Sequence, residues 1–282
     1  MKLGLFTPVF GGLNVSEMLA KVAALGRVQA LEIGTGGWPG NGHLDIEALL
    51  QNPSQLADYR AMIADAGLTI SALSCHGNPL HPDAAVARSY DEIFRKTVCL
   101  AHQMEVPVVV TFSGCPGDSD EAKHPNWVTT PWPPEFLDVL DWQWEKKAIP
   151  YWTEAAAFSA NHGVKVALEA HPGFLVYNVE TLHKLRSAAG PNVGINFDPS
   201  HLYWQGVDMP SAIRALGDAI FHVHAKDLAF DRHNLAINGV IDVKSYRQMQ
   251  ARSWLFRSVG WGHDELEWKR IVSALRLAGT TT

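Results

Sequence analysis

Short apolar runs alternate with longer amphipathic stretches along the chain, and this alternation constrains the fold more than any other feature. The apolar runs are rich in Val, Ile, Leu and Phe and are nearly continuous, which is typical of parallel strands buried on both faces. A parallel strand needs a crossover connection, usually a helix, before the next strand. Strands are predicted at residues 2–7, 28–34, 69–75, 106–112, 164–170, 193–198 and 220–226.

The stretches between these runs repeat apolar residues at helical spacing. Because the chain lacks a dinucleotide-binding G-x-G-x-x-G sequence, a closed α/β barrel of the TIM type, (β/α)8, is favoured over an open sheet. With no Ser/Gly linker, the chain is predicted to form a single barrel domain over residues 1–282. Helices are expected at residues 15–24, 56–66, 84–103, 149–162, 179–189, 210–216 and 264–277.

The pattern supplies seven strands, and the sequence stops at LRLAGTTT just after the seventh helix. A complete barrel needs an eighth strand that pairs with the first and the seventh. We therefore expect a barrel that is incomplete at its C-terminus, or one whose gap is filled by another segment or subunit. Unpaired strand edges invite pairing with another chain. A homo-oligomer is thus an expected assembly, and a non-catalytic, partner-dependent subunit is one alternative function.

Composition argues against two classes of partner. The formal net charge of −6 disfavours a nucleic-acid-binding protein, which normally carries a basic surface. No segment approaches the roughly 18 uninterrupted apolar residues that a membrane-spanning helix needs. The N-terminal MKLGLFTPVFGG lacks the apolar region and cleavage site of a signal peptide, so it is interpreted as a first strand. The expected location is the cytoplasm.

Two connections are longer than a barrel requires, at about residues 113–147 and 228–263. Both follow strands, so both are expected on the C-terminal face of the barrel, where active sites are built. They are rich in tryptophan, and Trp204 lies between them. Aromatic faces can stack on sugar rings, so a carbohydrate pocket is one interpretation. A lid that packs its own small core is the other.

Consecutive strands end in side chains that suit a metal. The strand at 164–170 delivers Glu169, the strand at 193–198 ends in Asp198, and the strand at 220–226 carries His224. Because parallel barrel strands end on one rim, we expect these groups to lie close together. Mixed oxygen and nitrogen ligands suit one divalent cation, Mn²⁺, Mg²⁺, Co²⁺, Zn²⁺ or Fe²⁺.

Three motifs, ALEAHP (167–172), NFDPSH (196–201) and HVHAKD (222–227), make the chain similar to the xylose isomerase-like superfamily of sugar isomerases and epimerases. The resemblance covers nearly the whole chain. It implies that Glu169, Asp198 and His224 are metal ligands. It also implies that Glu169 is one of the two glutamates that move a proton through an enediolate, and that His201 contacts the substrate and takes part in catalysis.

The resemblance implies further substrate-binding residues. His76 in SCHGNP is similar to a pocket histidine of the superfamily. The stretch RSVGWGH (257–263) resembles its Gly-rich turn, which makes Arg257 a candidate substrate-binding cation. Trp204 is assigned to the same pocket for its aromatic face. The predicted function is therefore a divalent-metal-dependent sugar isomerase or epimerase.

Two other enzyme classes stay open. The same proton abstraction next to a ketone would make a lyase, if a 3-keto-glycoside carried a leaving group β to the carbonyl. Endonuclease IV-like nucleases belong to the same superfamily, and DRH at 231–233 resembles one of their motifs. The fourth strand ends in TFSG, without the histidine that those nucleases need, and the net charge is acidic. Phosphodiester cleavage is therefore the more distant alternative.

Overall fold

The computed structural model describes residues 1–279 of the chain. Within them, seven parallel strands pair in chain order into one sheet, as the sequence predicts. Each strand lies inside the corresponding predicted run and is shorter than it, because the ends of the runs belong to turns. The strands of this sheet are β1 (Gly4–Phe6), β2 (Ala30–Gly34), β3 (Thr69–Ser74), β4 (Val108–Thr111), β5 (Lys165–Glu169), β6 (Val193–Phe197) and β7 (Ile220–Val223).

The sheet curls into most of a barrel. Strands β4 and β5 contact β7 as well as their hydrogen-bonded neighbours. The ring of Phe6, at the end of β1, stacks on His224, just after β7, with ring centroids 5.5 Å apart. Within residues 1–279 no backbone pairing joins β7 to β1. The (β/α)8 fold is therefore present in its incomplete form, with β1 and β7 brought near each other by side chains.

Helices occupy the crossovers between the strands of the sheet. Each of the predicted helices is present, with its ends shifted by a few residues at most. Short helices that the periodicity did not reveal follow β2, β4, β6 and β7. The helices of the described residues are α1 (Val15–Leu25), α2 (Ile46–Gln51), α3 (Pro53–Asp65), α4 (Ala84–Met104), α5 (Glu135–Trp142), α6 (Ile149–Asn161), α7 (Val179–Ala189), α8 (Pro199–Tyr203), α9 (Met209–Leu216), α10 (Arg232–Asn238) and α11 (Glu265–Leu277).

Local sequence explains where several of these helices begin. Asn14 accepts a hydrogen bond from the Glu17 backbone N–H, and the Glu17 side chain accepts one from the Asn14 backbone N–H. This reciprocal capping satisfies N–H groups that have no partner inside the helix. Asp83 caps α4 through its side chain as well. Asp198 caps α8 with the side chain that the sequence assigns to a metal, so this carboxylate is oriented by its own backbone.

The two long connections contain regular structure. The first includes α5, which continues through a π-helical segment at Gln143–Ala148 into α6. The second contains an antiparallel pair of strands, β8 (Asp227–Phe230) and β9 (Trp254–Arg257), with α10 between them. Because β8 begins three residues after His224, this hairpin stands directly beside the candidate site. The described residues contain no helix long and apolar enough to cross a membrane.

The main core lies between the sheet and its helices. Leu31, Leu73, Leu168 and Ile195 come from four different strands and are fully buried. A large buried side chain from the helical layer is Trp152 of α6, whose Nε1–H donates to the carbonyl of Ser113 at 2.8 Å. Dense packing here fixes the strand ends, and so the positions of the polar side chains that they carry.

Truncation of Leu168 should measure how much this core contributes. We expect Leu168→Ala to lower the free energy of unfolding by about 2–5 kcal/mol, because it leaves a cavity where relaxation is limited. Urea denaturation would measure the change. Val243 is 95% exposed, so Val243→Ala is the matched control and should change stability by less than about 0.5 kcal/mol. Equal effects of the two substitutions would contradict the assignment of Leu168 to the core.

Candidate functional site

The carboxylate of Glu169, at the end of β5, is bonded to side chains near the ends of several strands. Its Oε2 accepts from Asn196 Nδ2 at 2.9 Å and lies 3.1 Å from His76 Nε2 and 3.0 Å from His224 Nδ1. Its Oε1 lies 3.1 Å from His201 Nε2. Burial raises the pKa of Glu169, but the hydrogen bonds from these histidines outweigh it and hold the pKa well below its usual value. Glu169 is therefore an anion held in one orientation.

His224 lies between two buried carboxylates that come from opposite parts of the sheet. Its Nε2 is 2.6 Å from Glu32 Oε2 on β2, and its Nδ1 faces Glu169. Burial raises the pKa of Glu32, but the neighbouring His224 and His222 lower it to about 2. Because Glu32 is ionised, the Nε2–H of His224 must be the donor. The Nδ1 atom is then the one that can face Glu169 with a proton or with a cation.

Asp198 adds a second carboxylate to the same place. Its Oδ1 accepts from the backbone N–H and the hydroxyl of Ser200, at 2.9 and 2.7 Å. Its buried Oδ2 has no hydrogen-bond partner among the described residues. The basic nitrogens nearest to Oδ2 are His201 Nε2 at 3.3 Å and Lys226 Nζ at 3.6 Å. One ligand atom each from Glu169, Asp198 and His224 lies within 4.8 Å of the others, so this group could hold a metal ion.

His171, two residues after Glu169, adds a neutral imidazole to the site. Its Nδ1–H donates to the carbonyl of Pro172 at 2.7 Å, which leaves Nε2 as an acceptor. Its ring lies 4.0 Å from that of His201, centroid to centroid. Burial lowers the pKa of His171 to about 3, and the neighbouring His201 contributes to this decrease. His171 is therefore neutral, with a fixed tautomer and an unprotonated Nε2 close to Glu169 and His201.

A layer of polar side chains inside the curled sheet supports these groups. His222 Nδ1 lies 3.1 Å from Asn196 Oδ1 and 3.7 Å from Glu32 Oε2, and its Nε2 lies 3.3 Å from Ser71 Oγ. Asn196 in turn donates to Glu169. This layer links β2, β3, β6 and β7. Buried polar groups that are bonded to one another in this way favour one arrangement of the strands that carry them.

Lys226 places a positive charge at the rim of the group formed by Glu169, Asp198 and His224, called the acidic cluster below. Its Nζ lies 3.3 Å from His201 Nε2 and 3.7 Å from the centroid of the Phe256 ring on β9. The side chain is 37% exposed, so its charge faces both the cluster and solvent. The hairpin of β8 and β9 thus supplies the aromatic face that holds this cation in place.

Asp227 ties the Gly-rich turn at 257–263 to the site. Its Oδ2 accepts backbone N–H groups from Gly260, Gly262 and His263 at 3.0–3.1 Å, and the Trp268 Nε1–H at 3.2 Å. Burial raises its pKa, but the hydrogen bonds from His263 and the backbone outweigh this and lower the pKa to about 2. The aspartate of HVHAKD therefore organises the second long connection.

The residues assigned from sequence to substrate binding lie in different surroundings. His76 is buried, and both its nitrogens are engaged, Nδ1 with Ser74 Oγ at 2.8 Å and Nε2 with Glu169. Trp204 is buried and stacks on Trp254 with ring centroids 5.7 Å apart. Arg257 is exposed and donates to the carbonyl of Phe256 at 3.1 Å. The structure brings His76 and His201 to the cluster, whereas these contacts of Trp204 and Arg257 lie outside it.

Sequence reasoning missed Glu32 as a member of this site. The residue is 2% exposed and lies between Leu31 and Ile33 within a buried strand. A buried carboxylate in an apolar run needs a charged or hydrogen-bonding partner, so the acidic residue in this strand was the signal that the sequence offered. Its partner His224 is 192 positions away in sequence, so no local pattern could identify it. His171 was visible in the EAHP motif, but its tautomer depends on the folded backbone.

The role of Asp227 can be tested by its amide analogue. We expect Asp227→Asn to lower the free energy of unfolding by roughly 2–4 kcal/mol at pH 7, because a side-chain NH₂ or a neutral oxygen would replace a charged acceptor of several N–H groups. The pKa of Asp227 is lower in the folded protein than its ordinary value of 3.8. Its stabilising effect is therefore present above about pH 4 and lost as the pH falls towards 2.

Denaturation of wild type and Asp227→Asn over this pH range would show the difference between them shrinking as the pH falls. Asp218 is 90% exposed, so Asp218→Asn serves as the control and should leave the pH profile unchanged. A constant difference between wild type and Asp227→Asn from pH 7 to pH 2 would contradict the assigned interaction.

Comparison with known proteins agrees with this architecture. The chain is 41% identical over 282 residues to the uncharacterized protein YfiH of Bacillus subtilis (strain 168), and the match covers 99% of this chain and 90% of that protein. The fold is similar to that of a D-tagatose 3-epimerase-like protein, with a TM-score of 0.65 and 19% identity over 100% of this chain and 88% of that one. It is also similar to the IolI protein with a bound zinc atom, with a TM-score of 0.66 and 19% identity over 100% and 87% of the two chains.

The family model described as xylose isomerase-like TIM barrel matches residues 19–281. This range includes the helices from α2 to α11, the strand-end residues Glu169, Asp198 and His224, and the Gly-rich turn. The match to YfiH extends over almost the whole chain as well. The chain therefore belongs to the xylose isomerase-like TIM barrel family.

Proposed function

We propose that this protein is a divalent-metal-dependent sugar isomerase or epimerase. The observation that carries the proposal is the convergence of Glu169, Asp198 and His224 at the ends of adjacent strands. The likeness in fold to a D-tagatose 3-epimerase-like protein supports sugar chemistry, and the likeness to zinc-bound IolI supports a metal. A small sugar is the proposed substrate.

The side chains fit a cation in three respects. Asp198 Oδ2 is buried without a hydrogen-bond partner among the described residues, which is costly unless a cation binds it. The Nε2–H of His224 donates to Glu32, which leaves Nδ1 directed towards Glu169. Two carboxylate oxygens and one imidazole nitrogen suit Mn²⁺, Mg²⁺, Co²⁺, Zn²⁺ or Fe²⁺. A cation there would take the place of the Nδ1 proton.

The chain's own groups would divide the remaining work. A bound cation would polarise a carbonyl oxygen and acidify the neighbouring C–H. Glu169 is the proposed proton carrier, and His76 and Asn196 hold its carboxylate in place. His201, whose Nε2 lies near Glu169 and Asp198, is the proposed contact to a substrate oxygen. His171 is an alternative base, because its Nε2 is unprotonated.

Glu32 is proposed to position the metal ligand His224. A metal-binding histidine usually donates its other ring N–H to a carboxylate or carbonyl, which fixes its tautomer and increases its basicity. The 2.6 Å contact between Glu32 Oε2 and His224 Nε2 has this form. Glu32 is thus assigned an indirect role, acting through the imidazole.

Substitution of Glu32 should weaken metal binding without removing a ligand. We expect Glu32→Gln to raise the dissociation constant for Mn²⁺ by about 10–100-fold, because the amide keeps an acceptor oxygen but loses the charge. Isothermal titration calorimetry would measure it. Glu47 forms a surface ion pair with Lys96 and is 52% exposed, so Glu47→Gln is the matched control. An unchanged affinity of Glu32→Gln for Mn²⁺ would contradict the positioning role of Glu32.

The cation site itself is tested by metal content and thermal stability. We expect purified wild type to bind about one Mn²⁺ or Zn²⁺ per chain and to be stabilised by excess metal, because a ligand that binds only the folded state raises its stability. Glu169→Ala and Asp198→Ala should lose both effects. Asp242→Ala provides a control at a buried aspartate of the second connection, which pairs with Lys244. Wild type that binds no divalent cation would refute the metal assignment.

The reaction is tested by hydrogen exchange in the substrate. Metal-loaded enzyme would be incubated in D₂O with ketohexoses such as D-fructose and D-tagatose, and the products followed by NMR. An isomerase or epimerase should introduce deuterium at the carbon next to the carbonyl. Glu169→Gln should abolish the exchange. Metal-loaded protein that catalyses no exchange with any ketose or aldose would count against isomerisation and epimerisation.

A lyase is the second candidate, and His171 favours it. Elimination from a 3-keto-glycoside needs one base next to the ketone and a leaving group at the β carbon. The neutral His171 supplies an imidazole nitrogen with a fixed tautomer close to Glu169. Release of the aglycone from a 3-keto-glycoside, lost in His171→Ala, would identify a lyase. Rearrangement of a ketose without such release would identify an isomerase or epimerase.

A further inference from the structure

A groove of about 270 Å³ opens on the same face of the barrel as the acidic cluster. It is formed by the connections that follow β2, β3, β4 and β5, whereas the cluster lies at the ends of β5, β6 and β7. None of the proposed metal ligands lines it. Most of its wall is apolar, and the side chains that shape it include Trp38, His81, Val86, Tyr90, Pro125 and Phe174.

Trp38 is the most exposed of the aromatic residues that line this groove, and its position is fixed. The residue is 56% exposed, although its ring contacts those of Tyr90, Phe112 and Phe174 at centroid distances of 5.5–5.8 Å. Its backbone N–H donates to the carbonyl of His76 at 2.9 Å. Gly37, with φ of +65°, permits this approach, since a Cβ there would lie 2.2 Å from the same carbonyl oxygen. Trp38 is therefore a preformed aromatic surface.

The aromatic rings continue from the groove to the acidic cluster. Phe112 stacks on Phe174 with centroids 4.4 Å apart and an interplanar angle of 12°. Phe112 also makes edge contacts with His76 at 4.5 Å and His171 at 4.9 Å, centroid to centroid. His76 is bonded to Glu169. A molecule that reached Glu169 would thus have the aromatic wall beside it.

The polarity of the groove selects among possible occupants. Among the described lining residues there is no Asp, Glu, Lys or Arg, so a phosphate would find no charged partner. Asn78 could bond to a hydroxyl-rich ligand, but its amide is already engaged with Cys115 and Leu80. His81 Nδ1 accepts from the Asp83 backbone N–H. A flat apolar group matches these walls better than a second sugar ring.

We infer that this groove binds the aryl aglycone of a glycoside whose sugar ring lies at the acidic cluster. The inference rests on the proposed function for the sugar part and deepens it by naming the substrate class. The groove would hold the aryl ring against Trp38, the most exposed of its aromatic walls, while the cluster acts on the sugar. The natural substrate would then be a keto-glycoside with an aryl aglycone, whose ketone supplies the carbonyl that the proposed proton transfer needs.

The test compares two probes that differ in the aglycone alone, phenyl β-D-glucopyranoside and methyl β-D-glucopyranoside. We expect wild type to bind the phenyl glucoside at least about tenfold more tightly, because one buried aromatic ring suffices for such a difference. Isothermal titration calorimetry would measure both. Trp38→Ala should reduce the ratio of the two dissociation constants to near one. Trp38→Phe, which keeps an aromatic face, should retain the preference.

Trp132 provides the control, because it is 73% exposed and does not line the groove. Trp132→Ala should leave the ratio unchanged. Equal binding of the two probes by wild type, no binding of the phenyl glucoside, or an unchanged ratio in Trp38→Ala would each overturn the inference. The measurement is repeated on metal-free protein. If the metal titration shows that wild type cannot bind a divalent cation and the phenyl preference is still present, the proposed function is overturned and the aryl site stands.

Discussion

The candidate site depends on one imidazole held between two buried carboxylates. His224 bridges Glu32 on β2 and Glu169 on β5, so its two contacts span the interior of the curled sheet. Within the described residues no backbone pairing links β7 to β1, and side chains carry this connection. Two buried anions could not lie so near each other without a compensating charge. The proton or cation at His224 therefore stabilises both the site and the fold around it.

The surrounding structure keeps this arrangement in one geometry. Asp198 is oriented by the first turn of α8, and Glu169 by Asn196 and His76. The interior layer of His222, Asn196 and Ser71 lies beneath, and the main apolar core encloses the strands. Such preorganisation matters for a metal-dependent reaction, since ligands that are already in place need little rearrangement on binding.

The two parts of the barrel face have different chemistry. The ends of β5, β6 and β7 carry acids and imidazoles, whereas the connections after β2, β3, β4 and β5 carry aromatic rings. Phe112 belongs to both parts, because it contacts His76 and His171 on one side and Trp38 and Phe174 on the other. This division suits a substrate with a polar reacting end and an apolar end.

By itself the sequence determined the strand order, the main helices and the residues at the strand ends. These features are local, because a buried parallel strand is a continuous apolar run and its last residue is fixed by the chain. Glu169, Asp198 and His224 could therefore be named before the structure. The antiparallel pair inside the second long connection escaped prediction, since its strands are short and are separated by α10.

Tertiary structure alone decided which side chains meet. The fold places Glu32 of a buried strand against His224, and it brings Trp38 against Phe112 and Phe174 from later parts of the chain. The tautomers of His224 and His171 also follow from contacts with a carboxylate and a carbonyl that only folding supplies. The physical reason is the same in each case. Strand periodicity depends on neighbouring residues in the sequence, whereas the partner of a buried charge depends on which strands the folded barrel brings together.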